Sequence, residues 1–213
     1  MPLKDETVIT AEILLDLKCI NFSPKKQFKL TSGKKSPIYC DCRRLISFPK
    51  EMKIITNLAV KKIKSLNNLK KISNIAGGES AGIPFATLIA SKLNLPMTYI
   101  RKEKKKFGKN SQIEGVIKPK ENVILVEDLM TDGGSKLRFF QALENAKCDI
   151  KALFVIFNYG IIEKNFKFKK KKISLISLTN WSAVLKVARK KNIINEKDIL
   201  IIYDFLRSIG VKN

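Results

Sequence analysis

The sequence contains no histidine, and its four cysteines, Cys19, Cys40, Cys42 and Cys148, are scattered without a Cys-x-x-Cys pair. That excludes a zinc site built from the usual cysteine and histidine spacings. It leaves free thiols in a reducing compartment as the expectation. A long apolar run is missing as well. Met1 to Ile20 is interrupted by Lys4, Asp5, Glu6, Glu12, Asp16 and Lys18, which a signal peptide would not tolerate, and no other stretch is apolar for the length of a bilayer. A cytoplasmic protein without a membrane partner is expected. Acidic residues are scarce: 19 against 42 basic ones, for a net charge of +23. Arginine is scarce too, occurring only at Arg43, Arg44, Arg101, Arg138, Arg189 and Arg207. Base reading and bidentate phosphate recognition favour arginine, so a lysine excess spread over the whole chain argues against a dedicated nucleic-acid face. There is no internal repeat, and the lysine runs at Lys104–Lys106 and Lys169–Lys172 read as solvated faces.

What is present is enough for one substantial core in 213 residues, 45% of them hydrophobic, so a single domain over 1–213 is expected. Val8, Ile9, Ile13, Leu14 and Leu17 recur at helical spacing and predict an amphipathic first helix. Extended pieces are expected at Phe28–Thr31 and Ile38–Asp41. Pro49 suits the first turn of a helix whose apolar face is Met52, Ile55, Leu58, Ala59, Ile63 and Leu66. The pattern then changes. Short apolar runs at Ile72–Ala76, Met97–Ile100, Val123–Val126, Leu153–Phe157 and Ile173–Ile176 alternate with helical patterns at Ala81–Leu93 and Lys136–Ala146. Strands alternating with helices predict an α/β fold, a central, mostly parallel sheet flanked by helices. Residues about 1–45 are expected to form an N-terminal helix and small hood, and two helices, Trp181–Lys190 and Glu196–Ser208, a C-terminal unit over about 178–213.

The most informative segment is Val-Ile-Leu-Val-Glu-Asp-Leu-Met-Thr-Asp-Gly-Gly-Ser, Val123–Ser135, running straight into the helix from Lys136. A turn of Thr131, Asp132, Gly133, Gly134 and Ser135 lets successive backbone N–H groups converge, and the helix start adds its positive end: a cradle for a phosphate monoester. Glu127 and Asp128 at the strand end repel phosphate but accept hydrogen bonds from vicinal hydroxyls. Phosphate on one side and a diol on the other describe a ribose 5-phosphate. The plainer alternative is a strand-to-helix turn in which Asp132 or Ser135 only caps the helix. The Gly-Lys-Ser/Thr ending of a Walker loop is absent.

Three other segments carry candidate chemistry. Thr31–Asp41 (Thr-Ser-Gly-Lys-Lys-Ser-Pro-Ile-Tyr-Cys-Asp) offers the Tyr39 ring to a flat heterocycle, with Lys35 as a polar contact, unless it is only a surface hairpin. Ile75–Pro84 (Ile-Ala-Gly-Gly-Glu-Ser-Ala-Gly-Ile-Pro) is a second small-residue turn between strand and helix. Tyr99–Gly115 is too polar for a core and too long for a simple connection, the profile of a lid or of a solvated basic loop.

Val126–Ser135 resembles the phosphoribosyl pyrophosphate (PRPP) signature of type I phosphoribosyltransferases. The other three segments, in this order and spacing, resemble orotate phosphoribosyltransferases in particular, over about Leu30–Gly160. The resemblance implies the type I phosphoribosyltransferase fold, transfer of the ribose phosphate of PRPP to orotate, a step of pyrimidine nucleotide synthesis, and Mg²⁺ as cofactor. It also implies a homodimer with shared active sites. It assigns the 5-phosphate and ribose to Glu127, Asp128, Leu129, Met130, Thr131, Asp132, Gly133, Gly134 and Ser135. Pyrophosphate goes to Glu79, Ser80, Arg101, Lys102 and Lys105, and orotate to Lys35, Tyr39, Cys40 and Thr131. Arg101, Lys102, Lys105 and Asp128 are the catalytic group, Asp128 also touching the metal through water. Three departures stand out: Phe107 where many relatives have histidine before the loop glycine Gly108, Thr31 where some have lysine, and Asn158-Tyr159-Gly160 near where some have an arginine for the orotate carboxylate. Two other readings are a phosphoribosyltransferase for another base and a PRPP-sensing regulator that binds nucleic acid.

Overall fold

A computed structural model describes residues 5–30, 33–65, 71–104 and 111–211. The expectations that fall on Thr31, Leu66, Lys105, Phe107 and Gly108 lie outside the described residues. The chain opens with helix α1 (Glu6–Asp16), then four short strands: β1 (Ile20–Phe22), β2 (Phe28–Lys29), β3 (Lys35–Ser36) and β4 (Ile38–Cys40). A 3₁₀ turn (Cys42–Ser47) leads into α2 (Pro49–Lys64). The alternating part follows as β5 (Asn74–Gly78), α3 (Gly82–Leu93), β6 (Met97–Ile100), β7 (Ile113–Glu114), β8 (Asn122–Met130), α4 (Lys136–Asn145) and β9 (Asp149–Asn158). A hairpin of β10 (Asn165–Phe168) and β11 (Lys171–Asn180) precedes α5 (Trp181–Lys190) and α6 (Glu196–Ser208).

The main sheet runs β10-β11-β9-β8-β5-β6-β7. Its five inner strands pair in parallel, and β10 and β7 close the two edges antiparallel. The inner strands are buried on both faces, which is why they read as unbroken apolar runs. Along β8, Ile124 and Val126 belong to one core while Val123 and Leu125 belong to the other. The first core packs α1, α2, α3, α5 and α6 against the sheet; the second packs Phe139, Phe140 and Leu143 of α4 against Phe166 and Phe168 of the edge hairpin. β1 pairs with β4 and β2 with β3, so the N-terminal hood is two small antiparallel ribbons carried on α1 and the 3₁₀ turn.

The predicted α/β architecture holds, with local corrections. Strand β8 runs to Met130 rather than ending at Val126, so Glu127 and Asp128 are strand residues with their side chains buried. In α1 the buried positions are Thr10, Ala11, Leu14 and Leu15 rather than the expected stripe, of which only Leu14 is buried. The helix lies between α5 and β11, and Val8, Ile13 and Leu17 meet the core only at its margin. No helix among the described residues is long and apolar enough to cross a membrane.

Candidate active site

Two strand-to-helix turns, after β5 and after β8, lie side by side because their strands are parallel neighbours. Between them is a cavity of about 510 Å³ lined by Glu79, Ser80, Lys102, Glu127, Gly134, Ser135 and Lys136, together with Arg43, Arg138 and Phe139. The opening is where a doubly wound sheet places ligands, beyond the carboxyl ends of its strands.

The turn after β8 is short and internally tied. The Asp132 carboxylate accepts the Gly134 N–H (3.1 Å) and the Thr131 hydroxyl (3.4 Å), and the Lys136 N–H reaches the Gly133 carbonyl (2.9 Å). Gly133 has φ of +85°, which favours glycine, and the Phe166 ring fills the space a Cβ would need. No side chain caps the start of α4, and beyond Lys136, whose N–H is taken by Gly133, the amides of its first turn remain available to an anion. Gly133 and Asp132 also face a second, open cavity of about 800 Å³ beside Ile161, Ile162 and Phe166.

Glu127 and Asp128 are 4% and 8% exposed. Glu127 is ion-paired with Lys136 through Oε2 at 2.5 Å, while its Oε1 is buried without a hydrogen-bond partner among the described residues. Asp128 accepts the Leu129 N–H at 2.8 Å. Burial pushes both carboxyls above the ordinary range, and Lys136 opposes the shift in each case. Asp128 feels Arg43 as a second cation.

At the turn after β5 the Glu79–Ser80 peptide is cis. The Glu79 N–H donates to the Ile100 carbonyl (2.9 Å), and its carboxylate accepts the Lys102 N–H (2.8 Å), tying this turn to the start of the polar loop. Lys102 thus lines the cavity as expected. Arg101 does not. Its guanidinium faces Glu114 of β7 at 3.8 Å, and its backbone is held by Gln112.

The hood residues are more divided. Tyr39 is 37% exposed, with its ring 5.7 Å from that of Phe28. Lys35 is exposed beside Lys29, and Cys40 is buried with its Sγ 3.6 Å from that of Cys42. The Cys40 side chain is thus packed away from the surface, and a contact through it reduces to its backbone. Asn158, Tyr159 and Gly160 build a turn: Asn158 donates to the Ile162 carbonyl and accepts the Gly160 N–H, while Tyr159 packs edge-on against Phe157 and Trp181. Leu129 and Met130 lie within β8, Met130 fully buried.

Three cations of the cavity escaped the sequence reading: Arg43, Lys136 and Arg138. Arg43 is held by Asp41, whose Oδ1 accepts both its backbone N–H (3.2 Å) and its Nε–H (2.6 Å). Its signal was the rarity of arginine in so basic a chain. Lys136 had another: a lysine in the first turn of a helix opposes the helix dipole and needs a reason to be there.

Residues 44–190 match the description "Phosphoribosyl transferase domain". The chain is 40% identical over 203 residues to a protein of Jannaschia sp. (strain CCS1) named orotate phosphoribosyltransferase, covering 95% of this chain and 89% of the relative. It superposes on the structure of Leishmania donovani UMP synthase with a TM-score of 0.79 and 28% identity, over 95% of this chain but only 42% of that longer one. The crystal structure of orotate phosphoribosyltransferase from Aeropyrum pernix matches with a TM-score of 0.70 and 24% identity, over 84% of this chain and 98% of the other, a likeness of fold.

Proposed function

The chain belongs to the phosphoribosyl transferase family, among its orotate phosphoribosyltransferases, and from that premise we propose that it transfers the ribose 5-phosphate group of PRPP to orotate, releasing pyrophosphate. The observation that carries the reading is the single cavity in which Glu79, Ser80 and Lys102 stand opposite Gly134, Ser135 and the start of α4. One ligand with a phosphate at one end and a pyrophosphate at the other fits between two such turns.

In the reaction a pyrimidine nitrogen attacks the anomeric carbon as the bond to pyrophosphate breaks, with positive charge developing on the ribose. No nucleophilic side chain is required, and the protein contributes position and electrostatics. The amides of the Thr131–Ser135 turn and of the first turn of α4 that are not already tied to Asp132 or Gly133 hold the 5-phosphate. Asp128 accepts the ribose hydroxyls, and its ionised form offsets charge on the ring. Glu79, Ser80 and Lys102 receive the pyrophosphate, and Lys105 and Arg101, the latter once released from Glu114, are assigned to the same group. Tyr39 and the backbone around Cys40 face the base, with Lys35 and Thr131 as polar partners, and Arg43 is an added cation at the mouth.

No group of three or more potential metal ligands occurs among the described residues. A metal held mainly by substrate oxygens fits that donor set, with Asp128 reaching it through water, and Mg²⁺ there would neutralise pyrophosphate charge. A cytoplasmic homodimer, with the polar loop of each subunit reaching the neighbour's site, completes the proposal. It predicts that mixing Lys105→Ala and Asp128→Ala chains restores some activity through hybrid sites.

The deciding measurement is orotate consumption, followed as loss of ultraviolet absorbance, with PRPP and Mg²⁺ each present or omitted. Turnover requiring both is the expected result. Binding of PRPP without orotate turnover would shift the assignment to another base or to a regulator.

A further inference from the structure

Lys136 is the first residue of α4 and is 7% exposed, and among the described residues its ion-pair partner is the likewise buried Glu127, at 2.5 Å. Such a pair is a poor way to gain stability, since both charges lose water and two apolar residues of the same size would serve as well. The lysine also stands at the end of the helix where positive charge is least welcome. What the pair does provide is a connection. The backbone of Lys136 heads the helix that follows the β8 turn, and its ammonium holds Oε2 of Glu127. The other oxygen, Oε1, is pressed into the β5 turn: a Cβ on Gly78 would stand 2.1 Å from it and a Cβ on Gly82 2.7 Å. Lys136, Glu127 and the two glycines therefore form one rod from the β8 turn to the β5 turn, in the wall of the cavity that both turns line.

We infer that Lys136 is a positioning residue: through Glu127 it braces the two turns at the separation that a ligand spanning both requires. This rests on the reading of the cavity as a PRPP site. The brace predicts a dependence on ligand span that general loss of structure does not. PRPP touches both turns, whereas ribose 5-phosphate touches only the β8 turn and pyrophosphate only the β5 turn.

The test is calorimetric titration of wild type, Lys136→Met, Glu127→Gln and the double variant with each of the three ligands, in parallel with orotate turnover. In Lys136→Met, PRPP affinity should fall by at least about tenfold, as for the loss of a preorganised geometry, while ribose 5-phosphate and pyrophosphate change less than about threefold. Because Lys136 acts through Glu127, the double variant should be no worse than the worse single one. Should Lys136→Met fail to fold, the double variant, which buries no unpaired charge, carries the same three comparisons, with Lys136→Gln beside it. An equal fall for all three ligands, a fall for pyrophosphate alone, or no change for PRPP would each overturn the brace. Wild type that binds PRPP but leaves orotate unconsumed would overturn the base assignment and not the brace; wild type that binds none of the three overturns both.

Discussion

The turns after β5 and β8 are written in nearly the same alphabet, Gly-Gly-Glu-Ser-Ala-Gly and Thr-Asp-Gly-Gly-Ser, yet Gly82 of the one and Gly134 of the other are there for different reasons. At the β5 turn the requirement is packing. A Cβ on Gly82 would stand 2.2 Å from the carbonyl oxygen of Val126 on the neighbouring strand. At the β8 turn Gly134 is open: a Cβ there would meet only the Asp132 carboxylate, at 3.7 Å. The first glycine lets two backbones touch, whereas the second keeps a concave surface bare. Small residues in a strand-to-helix turn thus mark either a joint or a mouth, and only the neighbours tell which.

Breaking the joint should have the largest effect. Gly82→Ala sets a methyl group against main chain that cannot rotate away, and overpacking of that kind costs about 3 kcal/mol. Thermal unfolding should fall by about 6–12 °C in a chain of this size, with activity lost alongside. A variant that keeps its melting temperature would mean that β5 and β8 are less closely apposed than described.

Asp128 sharpens the contrast from the side of charge. Burial raises its carboxyl above the ordinary range, against the pull of Lys136, the Leu129 N–H and Arg43, with Glu127 beside it raised as well. A carboxyl with a raised folded-state pKa binds protons more readily folded than unfolded. Its contribution to stability is therefore greatest at low pH and is lost as pH rises from the ordinary carboxylate value, about 4, through the raised one. Asp128→Asn should make the ligand-free protein more stable at neutral pH and flatten its acid-range stability profile. It should also cost about a hundredfold in kcat/KM for PRPP, the scale of a lost hydrogen bond to a charged group. Melting curves from pH 4 to 8 beside steady-state kinetics would check both halves, and reduced stability at pH 7 would contradict the burial argument.

Gly134→Ala probes the mouth. The position has no positive φ, so alanine is permitted, and stability should hold or rise by about 0.5 kcal/mol through the unfolded state. The methyl group nevertheless enters the phosphate cradle, and KM for PRPP should rise on the order of tenfold. A stable variant with unchanged KM would remove Gly134 from the ligand surface.

The sheet was legible because its strands are buried on both faces and their helices carry a 3.6-residue pattern; Met97–Ile100, Trp181–Lys190 and Glu196–Ser208 fall where the pattern puts them. The turns were legible from their small residues. The extent of β8 was not, since nothing in the order Val-Glu-Asp says that strand pairing continues past the acidic residues; that is decided by β9, which pairs as far as Asn158. Edge strands such as β7 and β10 are too short to carry a period. Arg101 is assigned to the pyrophosphate by the resemblance of its loop, whereas Glu114, thirteen residues on, turns its side chain to β7. Lys136 depends on a contact nine residues away that no local rule selects, and Arg43 on Asp41 two residues before it, a cap whose aim toward the cavity only the fold decides.

Arg43 should give the smallest effect and tests whether the mouth has a third wall. It comes from neither turn: the 3₁₀ segment after the hood carries it, and Asp41 fixes it through two hydrogen bonds to one carboxylate oxygen. With Nε committed to Asp41, the two terminal nitrogens are the ones left to meet an anionic substrate at the cavity margin. The side chain is 55% exposed, so solvent and salt screen whatever it attracts. Arg43→Gln should leave the melting temperature unchanged and raise KM for orotate or PRPP by about three- to tenfold at low ionic strength, shrinking toward wild type in 0.5 M salt, as screening of an exposed charge requires. Which KM moves tells which anion it faces: orotate if the hood closes the base side of the cavity, PRPP if Arg43 extends the pyrophosphate side with Lys102. If neither moves at low salt, substrate recognition rests on the two turns and the loop, and the hood covers the site without contributing charge to it.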